Sequence, residues 1–153
     1  MMRAALALIS LIFAALLLTG CGGLLGEPAR EEVAWANSPD RRIHAILSET
    51  NGGATTSYGY VVELHPADHQ GEAPVDAGSL YGAVRSECAY GVDLHWLNPS
   101  TLELRYQSAK QVTVPKSVIV DGRRIHLLAQ GGRVNAAAPC GGMAVSHPAA
   151  TRG

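Results

Sequence analysis

Hydrophobic residues form one continuous run near the start of the chain. Residues 4–18 read AALALISLIFAALLL, apolar except for Ser10, and Arg3 places a positive charge before them. A positive first region followed by an apolar stretch of this length is typical of a secretory signal peptide. The run is short for a membrane-spanning helix, which needs about 17–25 apolar residues. We therefore expect residues 1–20 to form a signal helix that is removed on export.

Further along the chain the pattern changes to alternation, which predicts half-buried β-strands. In residues 41–48, the apolar side chains fall at every second position (Ile43, Ala45 and Leu47). Residues 55–65 are rich in aromatic and β-branched residues, and their predicted apolar face carries Tyr58, Tyr60, Val62 and Leu64. Because Asn51-Gly52-Gly53 is a strong turn signal between the two segments, we expect them to pair as a hairpin.

Two more hairpins are predicted in the second half of the chain. Residues 91–97 and 101–107 both alternate and are separated by a turn at Asn-Pro-Ser. The apolar faces predicted for them carry Val92, Leu94 and Trp96, and Leu102, Leu104 and Tyr106. The opposite face of the first segment carries Asp93, His95 and Leu97. Residues 118–120 and 123–128 flank Asp121-Gly122. This dipeptide predicts a type I′ turn because both of its residues need positive φ. In that register Val118 faces Ile125.

Shorter strands are expected at residues 79–85 and 111–114, and residues 66–78 are expected to form a polar loop. Pro115 suits an edge strand because proline cannot donate a ladder hydrogen bond. Charged residues make up only 16% of the chain, and 17 glycines favour turns over long helices.

The predicted fold class is therefore mainly β, a small antiparallel sheet or a sandwich of hairpins that follows the signal helix. We divide the chain into a signal peptide (1–20), a flexible tether (21–34), an antiparallel β domain (35–130) and an irregular Gly-, Ala- and Pro-rich tail (131–153).

The apolar run ends in Leu18, Thr19, Gly20 and Cys21. This resembles the lipobox of bacterial prolipoproteins: Leu, a small residue, Gly or Ala, then Cys. The resemblance implies that diacylglycerol is attached to the Cys21 thiol and that a signal peptidase cleaves between Gly20 and Cys21. The alternatives are an ordinary signal peptide with an incidental cysteine and an uncleaved anchor helix.

Residues Gly22 and Gly23 follow the cysteine, where an aspartate would often retain a lipoprotein at the inner membrane. In a Gram-negative host this favours the outer membrane, facing the periplasm. Cleavage would remove Arg3 and leave 11 basic against 13 acidic residues, a net charge of −2. We expect no nucleic-acid partner, because there is no basic stripe to follow a phosphate backbone.

A second resemblance lies in the mature domain. Ser38-Pro39-Asp40, Gly53-Ala54-Thr55-Thr56 and the hairpin WLNPSTLELRY resemble a family of small uncharacterised bacterial proteins with SPD…GATT motifs. The similarity covers residues 35–128. This chain departs from the pattern in two ways: Arg41 stands where SPDG has glycine, and no cysteine precedes Gly53. The family brings no activity to carry over.

Two cysteines, Cys88 and Cys140, remain once Cys21 carries lipid. An exported protein meets oxidising conditions, so we predict a disulfide between them. It would close a long loop and stabilise the fold by about 4 kcal/mol in the loop-entropy model. Two free thiols are the alternative. The sequence has no Cys-x-x-Cys motif of the kind that would suggest a redox-active pair.

Histidines offer a further candidate site, although a solvated loop is the favoured interpretation of the segment that holds them. His65, Asp68 and His69 lie in one predicted loop and could hold a transition metal, although the spacing is not a recognised ligand motif. A hydrolytic triad can also be drawn from His44, Ser48 or Ser57, and Asp40 or Asp93. No G-x-S-x-G context accompanies it.

We therefore expect a lipid-anchored bacterial envelope protein that is not an enzyme and binds no cofactor. Its expected partners are the membrane, through the N-terminal lipid, and a protein of the envelope. The alternative is an envelope metal-binding protein or hydrolase that uses the loop with His65, Asp68 and His69.

Overall fold

The structure is a computed structural model, and it describes residues 29–68, 73–86 and 89–134. These residues form nine β-strands and no helix. The strands are β1 (Ala29–Asn37), β2 (Ile43–Asn51), β3 (Gly59–Pro66), β4 (Val75–Tyr81), β5 (Val92–Asn98), β6 (Thr101–Tyr106), β7 (Gln111–Thr113), β8 (Ser117–Val120) and β9 (Arg123–Gln130).

The strands form two sheets that pack face to face. The first sheet has five strands in the order β1-β2-β3-β4-β7, and the second has four in the order β5-β6-β9-β8. Strand β5 packs against β1 and β2, and β8 packs against β3 and β4. The predicted mainly β class is confirmed, with the sandwich as its form. Among the described residues no helix is long and apolar enough to cross a membrane.

The core lies between the sheets and is built from every second residue of most strands. The residues that are fully buried there include Ile43, Leu47, Tyr60, Val62, Leu64, Leu80, Val92, Leu102, Leu104, Val120 and Ile125. The predicted faces of β2, β3, β5 and β6 are therefore confirmed. One aromatic residue departs from the prediction: Tyr58 precedes β3 and is 37% exposed, because the strand begins only at Gly59.

All three predicted hairpins are present. Strand β2 pairs antiparallel with β3, β5 with β6, and β8 with β9. Asp121 and Gly122 have φ values of 47° and 69°, as a type I′ turn requires, and Val118 faces Ile125. Strand β7 is at the edge of the five-stranded sheet, as Pro115 predicted.

Three expectations are wrong in detail. Residues 29–34, assigned to the tether, form the first two thirds of β1. Strand β4 begins at Val75, inside the segment 66–78 that was expected to be a polar loop. The domain is also not purely antiparallel, because β6 and β9 pair in parallel. That pairing needs a crossover, which residues 107–122 supply by way of β7 and β8.

A bulge explains why β4 was hard to recognise. Val62 pairs with Gly78 and Glu63 with Asp76, so Ala77 is an extra residue in β4. Gly78 has a φ of 128°, and a Cβ there would lie 2.6 Å from the Thr113 carbonyl oxygen. Glycine therefore allows β7 to approach β4 closely.

The Ser-Pro-Asp segment forms the tight connection between β1 and β2. The Ser38 hydroxyl donates to Asp40 Oδ1 (2.7 Å) and accepts from the Ile43 amide (3.1 Å). Several contacts hold the pKa of Asp40 below its ordinary value, and the hydrogen bond from the Ser38 hydroxyl has the largest effect. Asp40 Oδ2 also lies 2.9 Å from Arg123 Nη2, which links this turn to the β8–β9 turn in the other sheet.

Candidate functional site

Many of the residues singled out from the sequence lie outside the described residues. These are the lipobox residues Leu18, Thr19, Gly20 and Cys21, the two cysteines Cys88 and Cys140, and His69. Lipidation, cleavage and the disulfide therefore stay predictions.

The histidine loop is described only in part. His65 is the penultimate residue of β3, and its Nε2 lies 4.0 Å from Glu63 Oε2. That nitrogen is buried and has no hydrogen-bond partner among the described residues. The part of the chain that the structure describes holds no group of three or more His, Cys, Asp or Glu side chains arranged for a metal. The metal site that includes His69 stays a prediction.

The candidate triad does not assemble around His44. His44 Nδ1 is hydrogen-bonded to Asn37 Oδ1. Ser48 lies four residues along the same strand, which is about 13 Å at the rise of a β-strand. Asp40 is paired with Arg123 at the turn. Asn37 and Arg123 are therefore the partners of His44 and Asp40, and the other candidate serine, Ser57, accepts from Lys110.

A polar network lies near the end of the sandwich where β1 begins. Glu49 Oε1 accepts from Arg85 Nη1 (2.6 Å), and Glu49 Oε2 accepts from the Tyr60 hydroxyl (2.6 Å). The same hydroxyl accepts from the Gly91 amide (3.0 Å). Tyr60 belongs to one sheet and Gly91 directly precedes the first strand of the other. The network therefore connects the two sheets.

The Tyr60 phenol is held in its neutral form. Burial, and then its hydrogen bond to Glu49, raise the pKa of Tyr60 well above its ordinary value. A phenol that keeps its proton can donate to Glu49 while its oxygen accepts from the Gly91 amide. The geometry assigns this tyrosine to cohesion of the fold.

Around this network the chain exposes aromatic and aliphatic side chains. We call the set of Tyr58, Tyr81, Val84, Arg85 and Lys110 the tyrosine end. Arg85 lies over the Tyr58 ring at 4.4 Å from its centroid, and the Lys110 ammonium lies 6.0 Å from that of Tyr81. Tyr81 and Val84 are 42% and 48% exposed. Hydrogen bonds order the patch, because the Ser57 amide donates to the Tyr81 hydroxyl and Lys110 donates to the Ser57 hydroxyl.

A second candidate surface lies on the outer face of the four-stranded sheet. Asp93 faces Arg105 across the β5–β6 pair, and His95 faces Glu103. Glu103 is buried although it points away from the core, and Arg105 Nε lies 2.5 Å from its Oε2. Burial raises the pKa of Asp93, and Arg105 partly offsets that effect. We call these four residues the charged face.

Large apolar side chains flank the charged face. Leu97, Ile119 and Leu128 are 49%, 50% and 38% exposed. Leu128 is the register partner of Glu103 on the neighbouring strand β9. A partly desolvated charged centre with apolar neighbours can bind a partner through ion pairs and apolar contacts together.

Sequence reasoning missed both surfaces as units. The alternation placed Leu97 on the face of Asp93 and His95, which is the one signal that pointed to the second surface. The tyrosine end carries no comparable signal, since its members come from three different connections between strands and from the last residue of β4.

Comparison with known proteins returned no match to any family model, curated protein or solved structure. The resemblances to prolipoproteins and to the SPD…GATT family therefore stay predictions.

Proposed function

We propose that this chain is a lipid-anchored binding protein of the bacterial envelope that performs no catalytic step. The observation that carries the proposal is the lipobox-like sequence Leu18-Thr19-Gly20-Cys21 at the end of the apolar run. Only seven residues separate Cys21 from Ala29, where β1 begins. At about 3.3–3.6 Å per residue these eight steps reach at most about 26–29 Å.

The anchoring follows from the energetics of hydrocarbon burial. Each buried CH₂ group contributes about 0.8 kcal/mol, and a single myristoyl chain binds a membrane only reversibly. Two or three chains on Cys21 would make dissociation negligible. The net charge of −2 on the mature chain then matters little for attachment.

Metabolic labelling tests the anchor. The chain expressed in bacteria with radiolabelled palmitate should be labelled and recovered with membranes, and globomycin should block its maturation. Cys21→Ser should lose the label and leave the membrane fraction. Ser79→Ala changes an exposed side chain outside the lipobox and should behave like the parent chain. A processed chain with an unmodified sulfur at position 21 would refute the proposal.

The binding half of the proposal concerns the outer face of the four-stranded sheet. Its support is the combination of the partly exposed Arg105 guanidinium, which the buried Glu103 carboxylate holds, with the exposed Leu97, Ile119 and Leu128. Charged residues at the centre give specificity, and exposed apolar side chains give contact area.

In-cell photo-crosslinking tests this surface. A photoreactive amino acid at Ile119 or Leu128 should yield a discrete adduct, and mass spectrometry would identify the partner. Ser79 is exposed on β4 of the five-stranded sheet and is the control position. Adducts that form equally from all three positions, or only from Ser79, would contradict the assignment.

A further inference from the structure

The tyrosine end is the end of the sandwich at which the chain enters the fold. Ala29 pairs with Asn51 at the end of β2, and Gly59 at the start of β3 pairs with Tyr81 at the end of β4. Tyr81 in turn pairs with Gln111 at the start of β7. The connections that carry Tyr58, Val84 and Lys110 therefore leave the sheets at the same end as the first residue of β1.

The geometry points to the lipid surface as the occupant of this end. We infer that the tyrosine end rests on the headgroup layer of the membrane that holds the Cys21 lipid. The inference depends on the proposed lipid anchor and adds an orientation and a second contact to it.

The length of the connecting segment is the first argument. Strands β1 and β2 each contain nine residues, so the sandwich is about 27–30 Å long at about 3.3 Å per residue. If the opposite end touched the membrane, Ala29 would lie about that far above it. The connection from Cys21 would then have to be almost fully extended at about 26–29 Å, which costs most of its conformational entropy.

The chemistry of the exposed side chains is the second argument. Tyrosine is enriched at membrane–water interfaces, where its ring lies among headgroups and its hydroxyl remains hydrated. Tyr58 and Tyr81 present such rings, and Val84 adds an aliphatic group between strands β4 and β5. Lys110 is exposed beside Tyr81 and can extend its ammonium to lipid phosphates while its stem contacts the rings. A patch of this kind, held close to lipid, gains by partial insertion.

Tryptophan fluorescence can measure the orientation on the full-length, processed protein. The acylated chain is placed in phosphatidylethanolamine–phosphatidylglycerol vesicles whose acyl chains carry bromine near the headgroup. Tyr81→Trp reports on the tyrosine end. Leu97→Trp is the matched control, because Leu97 is the penultimate residue of β5 and lies at the other end of the sandwich. The parent chain supplies the background emission of Trp35 and Trp96.

We expect the added emission of Tyr81→Trp to shift to shorter wavelength and to be quenched by the brominated lipid. The added emission of Leu97→Trp should show neither effect. Introducing Val84→Glu into Tyr81→Trp should reduce the quenching while vesicle flotation stays unchanged, because the lipid anchor is intact.

Two different failures are distinguishable. If the acylated protein floats with vesicles but Tyr81→Trp is not quenched, or Leu97→Trp is quenched equally, the orientation is wrong and the anchor stands. If the processed protein carries no lipid and does not float, the proposed anchor fails and the orientation fails with it.

Discussion

Arg41 is held in a backbone conformation that suits glycine, and replacing it should stabilise the protein. Its φ is 58° in the turn between β1 and β2, where its amide donates to the Ser38 carbonyl oxygen (2.8 Å). The left-handed conformation costs a residue with a Cβ about 1–2 kcal/mol.

The expected magnitude is the difference of two effects. Glycine removes the cost of about 1–2 kcal/mol in the folded state. It also gives the unfolded chain more conformational freedom, which costs about 0.5–1 kcal/mol. We therefore expect Arg41→Gly to raise the free energy of unfolding by about 0.5–1 kcal/mol, or the Tm by about 2–6 °C for a domain of this size.

Urea denaturation of the mature Cys21→Ser chain at pH 7 would measure this change. Arg41→Ala keeps the Cβ and removes the charge, so it should give no such gain. Arg42→Gly places glycine next door, where φ is negative, and should lower stability by about 0.5–1 kcal/mol. If Arg41→Gly is as destabilising as Arg42→Gly, the argument from backbone strain is refuted.

Two further substitutions test the polar groups of the sandwich. Tyr60→Phe removes the hydroxyl between Glu49 and the Gly91 amide and should lower the free energy of unfolding in urea by about 1–3 kcal/mol. Tyr81→Phe is the control and should lower it far less, because Tyr81 is exposed. Equal losses would contradict the role of the buried network. Asp93→Asn should raise the Tm at pH 7, because burial raises the folded pKa of Asp93 above the unfolded value of 3.8 and so disfavours the charged form. This gain should fade as the pH falls through the folded pKa and should be lost below 3.8, where the carboxyl is protonated in both states. A gain independent of pH would refute the electrostatic argument.

Sequence predicts those parts of the fold that meet two conditions. One face of the strand is buried, and the strand pairs with the strand that comes next along the chain. Strands β2 and β3 meet both conditions, as do β8 and β9 with their Asp121-Gly122 turn. Alternation then gives the face, and turn chemistry gives the register.

Other parts were missed for identifiable physical reasons. The first four residues of β1 are all exposed, so the strand is held there by backbone pairing to β2 and has no hydrophobic pattern. In β4 the bulge at Ala77 interrupts the alternation. The parallel β6–β9 pair joins residues far apart in sequence, which no local pattern encodes.

The candidate functional residues also fall into two groups, those that sequence alone predicts and those that only the fold brings together. The lipobox is a contiguous motif, so sequence alone suggests the anchor at Cys21. The tyrosine end combines residues that precede β3, follow β4 and precede β7, and only the order of strands brings them together. The alternation also predicts Tyr58 in the core, because Tyr58 continues the series of Tyr60 and Val62, which are buried. The structure shows that the strand begins after Tyr58.

A sandwich is least protected at its two ends, where strands turn and the apolar core meets water, and this chain has a polar contact at each. At the tyrosine end, the Tyr60 hydroxyl donates to Glu49 in its own sheet and accepts from the Gly91 amide, which precedes the first strand of the other sheet. At the opposite end, Arg123 binds Asp40, and its guanidinium also reaches the Pro99 carbonyl oxygen (3.4 Å), so that turns of both sheets are joined. Both contacts resist sliding of one sheet over the other. A lipid at Cys21 would therefore act on the described domain as one unit, holding the tyrosine end at the membrane and the Asp40–Arg123 turns about 27–30 Å away, at the length of the longest strands.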